Sequence, residues 1–577
     1  MSPSRFTRCL ARHLSTATAL AGLCAATGAI AAPDAADRVY RGGTVITLDE
    51  AVPRATAVAI SGDRIVAVGS DAMVGAHIGS DTVVTDLGGN TVVPGFIDSH
   101  SHLVFQGMTL ARFVDLNAPP IGDVRSIDQL VKRLRARAAD TPQGEWVIGF
   151  GYDDTLVAEH RHPTREDLDR VSTEHPVWVN HVSGHMGVGN SLALTAGGLN
   201  ADSPDPEGGV IHRDPDTGEP TGLLEESAAM GPVLMKAFAS IGPEDLLAAV
   251  DAAVTDYLSK GVTTAQDGAA SAETLEGLAY ARSQGLLRTR VVAYPTIDVT
   301  LKQLEGEYQW PFEDDGFLKL GATKLFSDGS IQGYTGYLTH PYHVPRDTAK
   351  PDYRGYPQTA RDKLAEQVMA VHRSGGQIAV HGNGDAAIDD ILHAFERAQA
   401  AAPREDARPV LIHAQMARED QLDKMAELGV IPSMFNMHTY YWGDRHRDIF
   451  IGPERAARIS PARSAERRGI PFTFHADTPV VPMEPLRMLW SGVTRQTSGG
   501  EVLGPEQRVS AERALRALTI DVARQYFDED DKGSIAVGKL ADLVVLDGNP
   551  LTVAPDDILA IGVVQTLVGG EVAYQRD

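Results

Sequence analysis

The 577-residue chain has almost no cysteine: it contains two, Cys9 and Cys24, both near the amino terminus. Both lie within residues 1–31, a segment that has the features of a signal peptide. Its removal would leave a mature chain without a thiol. Disulfide bonds, a cysteine nucleophile and thiolate metal ligands are then excluded. A metal ion would have to be held by histidine, a carboxylate or a modified side chain.

Residues 1–31 contain three arginines and no acidic residue, and an apolar, alanine-rich stretch runs from Leu14 to Ala32. Ala29-Ile30-Ala31 supplies the small residues of a signal-peptidase site. The sequence therefore predicts a cleaved secretory signal over 1–31 and a periplasmic or secreted protein. A retained, cytoplasmic amino terminus is the alternative. No later apolar run approaches the length of about 18 residues that a membrane span needs.

Basic charge is also scarce, because 52 Lys and Arg face 77 Asp and Glu, for a formal net charge of −25. Recognition of a polyanion needs clusters of Lys and Arg, and none stands out in the sequence. The charge therefore argues against nucleic acid and anionic membranes as partners. With 43% hydrophobic residues, the composition is that of an ordinary globular protein.

Short strand-like runs with glycine turns occupy both ends of the chain, whereas strands and helices alternate in the middle. The similar ends predict one small β-sandwich domain built from residues 32–93 and 532–577. Repeated βα units over 94–531 predict an α/β fold with a parallel sheet, and the length favours a TIM-like (β/α)₈ barrel. Nine strand candidates compete for its eight places. They are 91–97, 177–180, 262–265, 291–294, 322–326, 377–380, 409–412, 430–433 and 472–474.

Side chains with metal-binding or catalytic chemistry lie at the ends of these strands. His100 and His102 form a His-x-His pattern, and residues two apart on a strand share one face, so both imidazoles can reach one ion. Barrel active sites are built at the carboxyl ends of the strands, so the whole set is predicted to converge. The set is His100, His102, Lys324, His381, His413 and Asp477.

Two longer motifs carry a family resemblance. Pro94-Gly95-x-x-Asp98-x-His100-x-His102 opens the barrel region, and Gly533-Ser534-Ile535-x-x-Gly538-Lys539-x-Ala541-Asp542-Leu543-Val544 lies near the carboxyl end. With these motifs the chain resembles the amidohydrolase superfamily over essentially its whole mature length. Within it, the chain looks like the YtcJ-like hydrolases of amidohydrolase family 3, a group that includes N-substituted formamide deformylases.

The resemblance implies an order of site residues along the barrel: His-x-His on strand 1, Lys on strand 4, His on strands 5 and 6, and Asp on strand 8. With Lys324 on strand 4, the candidate 177–180 falls in a long insertion after strand 1, over roughly 103–245. An insertion at the catalytic face is a candidate lid.

Zinc accepts neutral imidazole and carboxylate oxygen as ligands. We expect His100, His102 and Asp477 to hold one ion, and His381 and His413 to hold a second. A single ion held by part of this set is the alternative.

An unmodified lysine ammonium would be repelled by two dications. The resemblance implies that Lys324 is instead N-carboxylated and bridges two zinc ions. The alternative is that Lys324 forms a simple salt bridge to Asp328. A hydroxide shared by the ions would attack the substrate carbonyl, and Asp477 would pass its proton to the leaving nitrogen. His185, in a segment that resembles the family's insertion motif, is a third catalytic candidate, although it could equally pack a loop.

Other side chains near the predicted site have weaker signals. His475 immediately precedes Ala476-Asp477 and could support the site from behind. His438 stands beside Tyr440, Tyr441 and Trp442, an aromatic group that either lines a leaving-group pocket or packs its loop. Asp98 is expected to orient its strand rather than to bind metal.

The sequence thus predicts a metal-dependent hydrolase of a C–N bond other than a peptide bond, with a small amide, formamide or carbamate as substrate. A deaminase is the first alternative, but deaminases of this superfamily commonly carry a Glu three residues after the strand 5 His, where this chain has Gly384. The second is a non-catalytic protein like the exoenzyme regulators, which would be expected to have lost a ligand. The oligomeric state stays open, with a homodimer as one option.

Overall fold

The computed structural model describes residues 34–577, so the predicted signal segment 1–31 lies outside the described residues. The strands of this range form five sheets. Two sheets come from the chain ends, two consist of parallel strands from the middle, and one belongs to the region between the first two parallel strands. No helix in residues 34–577 combines the length and the hydropathy that a membrane crossing requires.

Both chain ends contribute to a pair of sheets that share a hydrophobic cluster. The six-stranded sheet takes three strands from each end and pairs Leu543–Leu546 antiparallel to Thr91–Pro94. Val58 of the four-stranded sheet belongs to the same buried cluster as Val92 and Val545 of the six-stranded sheet. In sheet order, the four strands are Arg64–Gly69, Ala57–Ser61, Arg38–Arg41 and Val83–Asp86, and the six are Glu571–Gln575, Val563–Val568, Leu543–Leu546, Thr91–Pro94, Thr44–Ile46 and Arg54–Ala55.

Two parallel sheets form the centre of the molecule. Their strands are buried on both faces, as their apolar runs require: every residue of Ile378–Gly382 and Val410–His413 is buried. A parallel bridge between Thr296 and Lys324 links the two sheets on one side. In sheet order, one contains Leu318–Leu320, Arg290–Pro295, Val262–Ala270 and Phe96–Ile97, and the other Thr323–Phe326, Ile378–Gly382, Val410–His413, Ile431–Met434 and Thr473–Phe474.

The predicted strand 91–97 is two strands. Its first half, Thr91–Pro94, pairs in the terminal sheet, and its second half, Phe96–Ile97, pairs with Val262–Ala270. The break falls at Gly95, where a Cβ would lie only 2.1 Å from Thr263 Oγ1. A side chain there would clash, so glycine lets the chain pass from one sheet to the next.

The fifth sheet lies between the first and second parallel strands in sequence, and it contains the ninth candidate strand, 177–180. The sheet therefore has the position expected of an insertion. The helix Ile127–Ala139 packs on it through Leu130, Val131 and Leu134, and the Ser126 side chain caps its first turn. In sheet order, the strands are Val210–Arg213, Pro220–Glu225, Met186–Gly189, Val177–His181, Val147–Tyr152 and Val114–Asp115.

Helices alternate with the parallel strands and cover them. Pro243–Ser259 begins with proline at its first turn, a position where the missing N–H costs nothing, and buries Val250, Val254 and Tyr257. The helices outside the insertion are Asp71–Val74, Pro243–Ser259, Ala272–Ser283, Ile297–Leu304, Arg361–Arg373, Asp385–Ala401, Glu419–Leu428, His438–Arg445, Gly452–Ala456, Ala462–Arg467, Pro485–Thr494, Ala511–Arg516 and Ile520–Gln525. The insertion contains Leu103–Ala111, Ile127–Ala139, Arg165–Asp169, Ser191–Ala196 and Glu226–Phe238. Short 3₁₀ or π turns occur at Gly75–His77, His446–Phe450, Pro505–Gln507 and Pro555–Ala560.

Candidate metal centre

The ends of the parallel strands bring three of the predicted ligands together. The Asp477 Oδ1 atom lies 3.5 Å from His100 Nε2 and 3.3 Å from His102 Nε2. The backbone joins the two segments as well, because the Asp477 amide donates to the His100 carbonyl at 3.2 Å. These three side chains form one group whose ligand atoms all lie within 4.8 Å of one another.

Asp477 and His413 adopt left-handed backbone conformations, with φ of 54° and 73°. Such conformations cost on the order of 1–3 kcal/mol in a residue with a side chain, and they persist only where the surroundings impose them. His413 ends the strand Val410–His413, and Asp477 lies three residues after the strand Thr473–Phe474.

Gln266 sets the orientation of the His100 ring. The Gln266 amide nitrogen donates to the Ser99 carbonyl at 2.9 Å, so its Oε1 is the acceptor that faces His100 Nδ1 at 2.7 Å. His100 therefore carries its proton on Nδ1 and presents the Nε2 lone pair to Asp477 and Lys324. Gly268 allows this packing, since a Cβ there would be 2.4 Å from His100 Cε1.

Lys324 is buried in the centre of the group, and its Nζ lies 3.1 Å from His100 Nε2. Burial lowers the pKa of Lys324 to about 7. The alternative for Lys324, a salt bridge to Asp328, is wrong. The Asp328 carboxylate instead accepts three backbone N–H groups, from Tyr337, Asn383 and Gly384, at 2.8–3.0 Å.

His381 and His413 form the second predicted pair of ligands. Their rings meet through His381 Nδ1 and His413 Nε2, 2.9 Å apart, and the His413 ring centroid lies 5.7 Å from that of His100. Burial, together with the neighbouring basic side chains, holds the pKa of both rings well below the ordinary value. Both are therefore neutral imidazoles, the form that binds metal.

The insertion places His185 beside these predicted ligands. Its ring centroid lies 4.9 Å from that of His381, and its Nδ1 lies 2.8 Å from Glu226 Oε2. Burial opposes protonation of His185, but the Glu226 carboxylate outweighs burial and raises its pKa. Glu226 is itself buried, with its Oε1 left without a hydrogen-bond partner and a φ of 65°.

The weaker candidates lie in different surroundings. His475 lies inside the group, with its Nε2 3.1 Å from His413 Nδ1. Trp442 is buried and hydrogen-bonds to the insertion through Asp153, while Tyr440 packs edge-on against Trp490. These contacts favour the packing role for Trp442 and Tyr440. Asp98 receives hydrogen bonds from its own loop and from the Gln266 amide, which agrees with its predicted orienting role.

Sequence reasoning missed two residues: Gln266, which orients His100, and Glu226, which contacts His185. Neither lies in a motif with metal-ligand spacing. Gln266 could have been suspected as a large polar residue within the buried strand Val262–Ala270, but Glu226, at the start of a helix, carries no comparable signal.

The side chains present suit a zinc ion. The Asp477 Oδ1 atom is buried without a hydrogen-bond partner, although an unpaired buried carboxylate oxygen is costly. His100 presents a lone pair beside it. Imidazole nitrogen and carboxylate oxygen are the donor types of cysteine-free zinc sites.

A second group with metal-ligand spacing lies in the insertion: Asp153, Asp154 and His181, named here the insertion group. The histidine of this group carries its proton on the nitrogen that would have to bind a cation. The Ser183 backbone N–H donates to His181 Nδ1 at 3.2 Å, so a neutral His181 carries its proton on Nε2, which faces Asp154 Oδ1 at 3.2 Å. Asp153 is already paired with the Arg445 guanidinium at 2.6 Å.

Comparison with known proteins gives the family of this chain. The model of an amidohydrolase family (Amidohydro_3) matches residues 83–574. The chain belongs to this family. The uncharacterized metal-dependent hydrolase of Pyrococcus furiosus, a solved structure, superimposes with a TM-score of 0.69 at 28% identity, over 89% of this chain and 100% of that one.

Two relatives are similar over nearly their whole length. The N-substituted formamide deformylase of Arthrobacter pascens is 30% identical over 563 residues, which cover 94% of this chain and 98% of that protein. The YtcJ protein of Bacillus subtilis is 27% identical, over 93% of this chain and 99% of its own length. The predicted YtcJ-like family membership is thus confirmed, and the protein is a metal-dependent hydrolase by family.

Proposed function

We propose that this protein hydrolyses a C–N bond other than a peptide bond in a small amide, formamide or carbamate. One observation carries the proposal: an unpaired buried carboxylate oxygen of Asp477 stands within 3.5 Å of the imidazole nitrogens of His100 and His102. The similarity to a formamide deformylase supports the choice of bond.

The donors would hold zinc in the two sets predicted from the sequence. His100, His102 and Asp477 form the first, and His381 and His413 form the second. When bound, zinc lowers the pKa of water and polarises a carbonyl oxygen. Lys324 lies against His100, and N-carboxylation would convert it from a repelled cation into a bridging anion.

Asp477 is the proposed proton carrier. Burial would raise its pKa, but the adjacent imidazoles of His102 and His100 hold the pKa well below the ordinary value. The carboxylate is thus ionised and can take a proton from the attacking water and deliver it to the leaving nitrogen. An amide nitrogen leaves poorly unless it is protonated.

His185 has a second proposed role, as a hydrogen-bond donor to the substrate. Its Nδ1 is engaged by Glu226, which favours a protonated ring. Only 15% of its side chain is exposed, so a group that reached it would be largely shielded from water. Such shielding strengthens a charged hydrogen bond.

Deamination is disfavoured at the position where the deaminases carry Glu. That position is Gly384, and a Cβ there would lie 1.9 Å from the Tyr337 carbonyl oxygen. The backbone leaves no room for any side chain. The carboxylate that such a deaminase needs is therefore lacking at this place.

The strand arrangement supports the predicted barrel. Strands Leu318–Leu320 and Thr323–Phe326 follow one another directly, one in each parallel sheet, and together read as the fourth of eight strands. Beyond the last strand, the His102 amide donates to the Thr478 carbonyl at 2.8 Å. We infer a closed eight-stranded barrel, with the paired terminal sheets as a β-sandwich.

The cellular setting is also part of the proposal. An exported enzyme cleaved near Ala31 would act in the periplasm or medium on small molecules rather than on nucleic acid or membranes. Intact-mass measurement on the exported fraction should give a thiol-free chain, whereas retention of Cys24 would contradict export by this signal.

A substrate panel tests the activity. Zinc-loaded protein would be assayed against formamides, N-acyl amino acids, carbamates and, as the contrasting class, aminated purines and pyrimidines. We expect the first three classes to release an amine, together with formate, a carboxylate or carbonate, and we expect no ammonia release from the heterocycles. Ammonia from the heterocycles alone would identify a deaminase instead, and zinc-loaded protein inactive on every class would count against an enzyme.

A further inference from the structure

A chain of buried hydrogen bonds runs from a backbone carbonyl to the ligand His413. Ser99 Oγ donates to the Phe474 carbonyl at 2.9 Å and lies 3.2 Å from Ser433 Oγ. Ser433 Oγ lies 2.9 Å from His475 Nδ1, and His475 Nε2 lies 3.1 Å from His413 Nδ1. Ser99, Ser433, His475 and His413 are all at most 2% exposed.

The carbonyl fixes the direction of every proton in this chain. A carbonyl oxygen can only accept, so the single Ser99 proton goes to Phe474. Ser433 must then give its own proton to Ser99, and it can only accept from His475. His475 therefore carries its proton on Nδ1.

The direction passes through His475 to the ligand. A neutral His475 with a proton on Nδ1 has a lone pair on Nε2, and this lone pair accepts from His413 Nδ1. His413 is then left with a lone pair on Nε2, the nitrogen that faces His381 Nδ1 at 2.9 Å. A metal ligand needs this tautomer, because a protonated nitrogen cannot bind the ion.

We propose that His475 is a positioning residue that, through Ser433, holds His413 in the tautomer and orientation that bind metal. This inference rests on the proposed function only in taking His413 as a zinc ligand. It assigns a task to a histidine that follows no metal-ligand spacing in the sequence. The alternative, that His475 only fills space between Phe435 and the strands, makes a different prediction for each variant below.

Ser433→Ala separates the two interpretations most sharply, because it changes neither the predicted ligand His413 nor His475, which contacts His413. Without the serine, His475 loses the acceptor for its Nδ1 proton and can carry the proton on Nε2 instead. That proton would face His413 Nδ1 and drive the His413 proton to Nε2, where zinc must bind. We expect zinc affinity to fall about 10–100-fold, the usual effect of losing a group that orients a ligand.

Variants of His475 itself test the chemistry of the side chain. His475→Phe keeps a flat ring but can neither accept nor donate, whereas His475→Gln retains an acceptor and a donor. Positioning predicts that Gln preserves more zinc affinity than Phe. Space filling predicts the reverse order, because the aromatic ring is the closer match in shape.

The experiment measures zinc affinity of the full mature chain by competition with a chromophoric chelator, alongside thermal unfolding of each metal-free variant. Ser464→Ala is the matched control: Ser464 is a buried serine that also loses a hydrogen bond, to Glu419. It should leave zinc affinity within about twofold. The double variant Ser433→Ala/His475→Phe should bind no more weakly than His475→Phe alone, since both act through one path.

The inference is overturned if Ser433→Ala binds zinc like the parent, or if the two substitutions reduce affinity additively. Either result leaves the proposed function intact. A parent chain that binds less than half a zinc ion would instead overturn the metal centre itself. If His475→Phe fails to fold, Ser433→Ala and His475→Gln still decide the question.

Discussion

The candidate metal centre and the insertion group both satisfy the same spacing test, since each brings histidine and carboxylate atoms within 4.8 Å of one another. They differ in where the protons lie. In the metal centre, His100 Nδ1 donates its proton to Gln266 Oε1, so His100 Nε2, which faces Asp477, has a lone pair. In the insertion group, His181 Nδ1 accepts the Ser183 N–H, so the proton of His181 lies on Nε2, the nitrogen that faces Asp154.

The partners of the carboxylates differ in the same sense. Asp153 of the insertion group forms an ion pair with Arg445, at 6% and 14% side-chain exposure. Asp477 of the metal centre has no Lys or Arg partner within ion-pair distance among the described residues. Proximity of donor atoms is therefore insufficient evidence for a metal site, because their protonation and their existing partners decide whether a cation is attracted. Four predictions test this difference.

The largest effect is expected for Asp477→Asn. The amide keeps the shape and one ligand oxygen but loses the basicity, so kcat on the best substrate should fall about 10²–10⁴-fold with zinc mostly retained. Asp154→Asn in the insertion group is the control and should leave kcat close to the parent value. Near-normal kcat for Asp477→Asn would assign proton transfer to another group, with His185 the next to test.

Arg445→Met should lower the free energy of unfolding by about 3–5 kcal/mol, because it leaves Asp153 buried without its cation. Chemical denaturation of the metal-loaded chain measures this loss. The exposed pair of Arg282 with Asp315 provides the comparison, and Arg282→Met should cost only about 0–1 kcal/mol. Equal losses for the two variants would mean that the Asp153 ion pair does not link the insertion firmly to helix His438–Arg445.

Glu225 gives the insertion a dependence on pH. Burial would raise its pKa, but His212 and Arg346 lower it from 4.5 to about 2. The ionised group thus stabilises the fold above pH 4.5, and this contribution is lost as the pH falls toward 2. Between pH 5 and pH 2 the parent should lose about 2–3 kcal/mol more than Glu225→Gln.

Urea midpoints measured across this range provide the readout. Glu219→Gln, at an exposed position of the insertion, should follow the parent. If the curves of Glu225→Gln and the parent run parallel, the ion pairs of Glu225 contribute nothing to stability.

The smallest effect is expected for His181→Ala, which should leave the zinc content unchanged. We expect about two ions per parent chain and about one fewer after His381→Ala, measured by metal analysis after reconstitution. Loss of zinc with His181→Ala would make the insertion group a metal site and reverse the comparison. A reproducible single ion in the parent would favour the mononuclear alternative.

Much of the framework could be predicted from the sequence. The parallel strands are short apolar runs because both of their faces are buried, so their positions are visible in sequence, and eight of the nine predicted strands contribute to the parallel sheets. The division of 91–97 at Gly95 was missed, since the close approach of Thr263 comes from a distant part of the chain. The domain boundaries at 93/94 and 531/532 and the insertion 103–245 stay predictions.

By itself, the sequence determined which chemistry this chain carries: histidine and carboxylate ligands at strand ends, a lysine among them, and family motifs at both ends of the barrel region. Tertiary structure alone decided how those groups are protonated and what surrounds them. Gln266, Glu226 and Ser433 act on His100, His185 and His475 from other strands or from the insertion. Their effect depends on which atom donates in hydrogen bonds of about 3 Å. These contacts join residues that are far apart in the sequence, so the sequence alone does not reveal them.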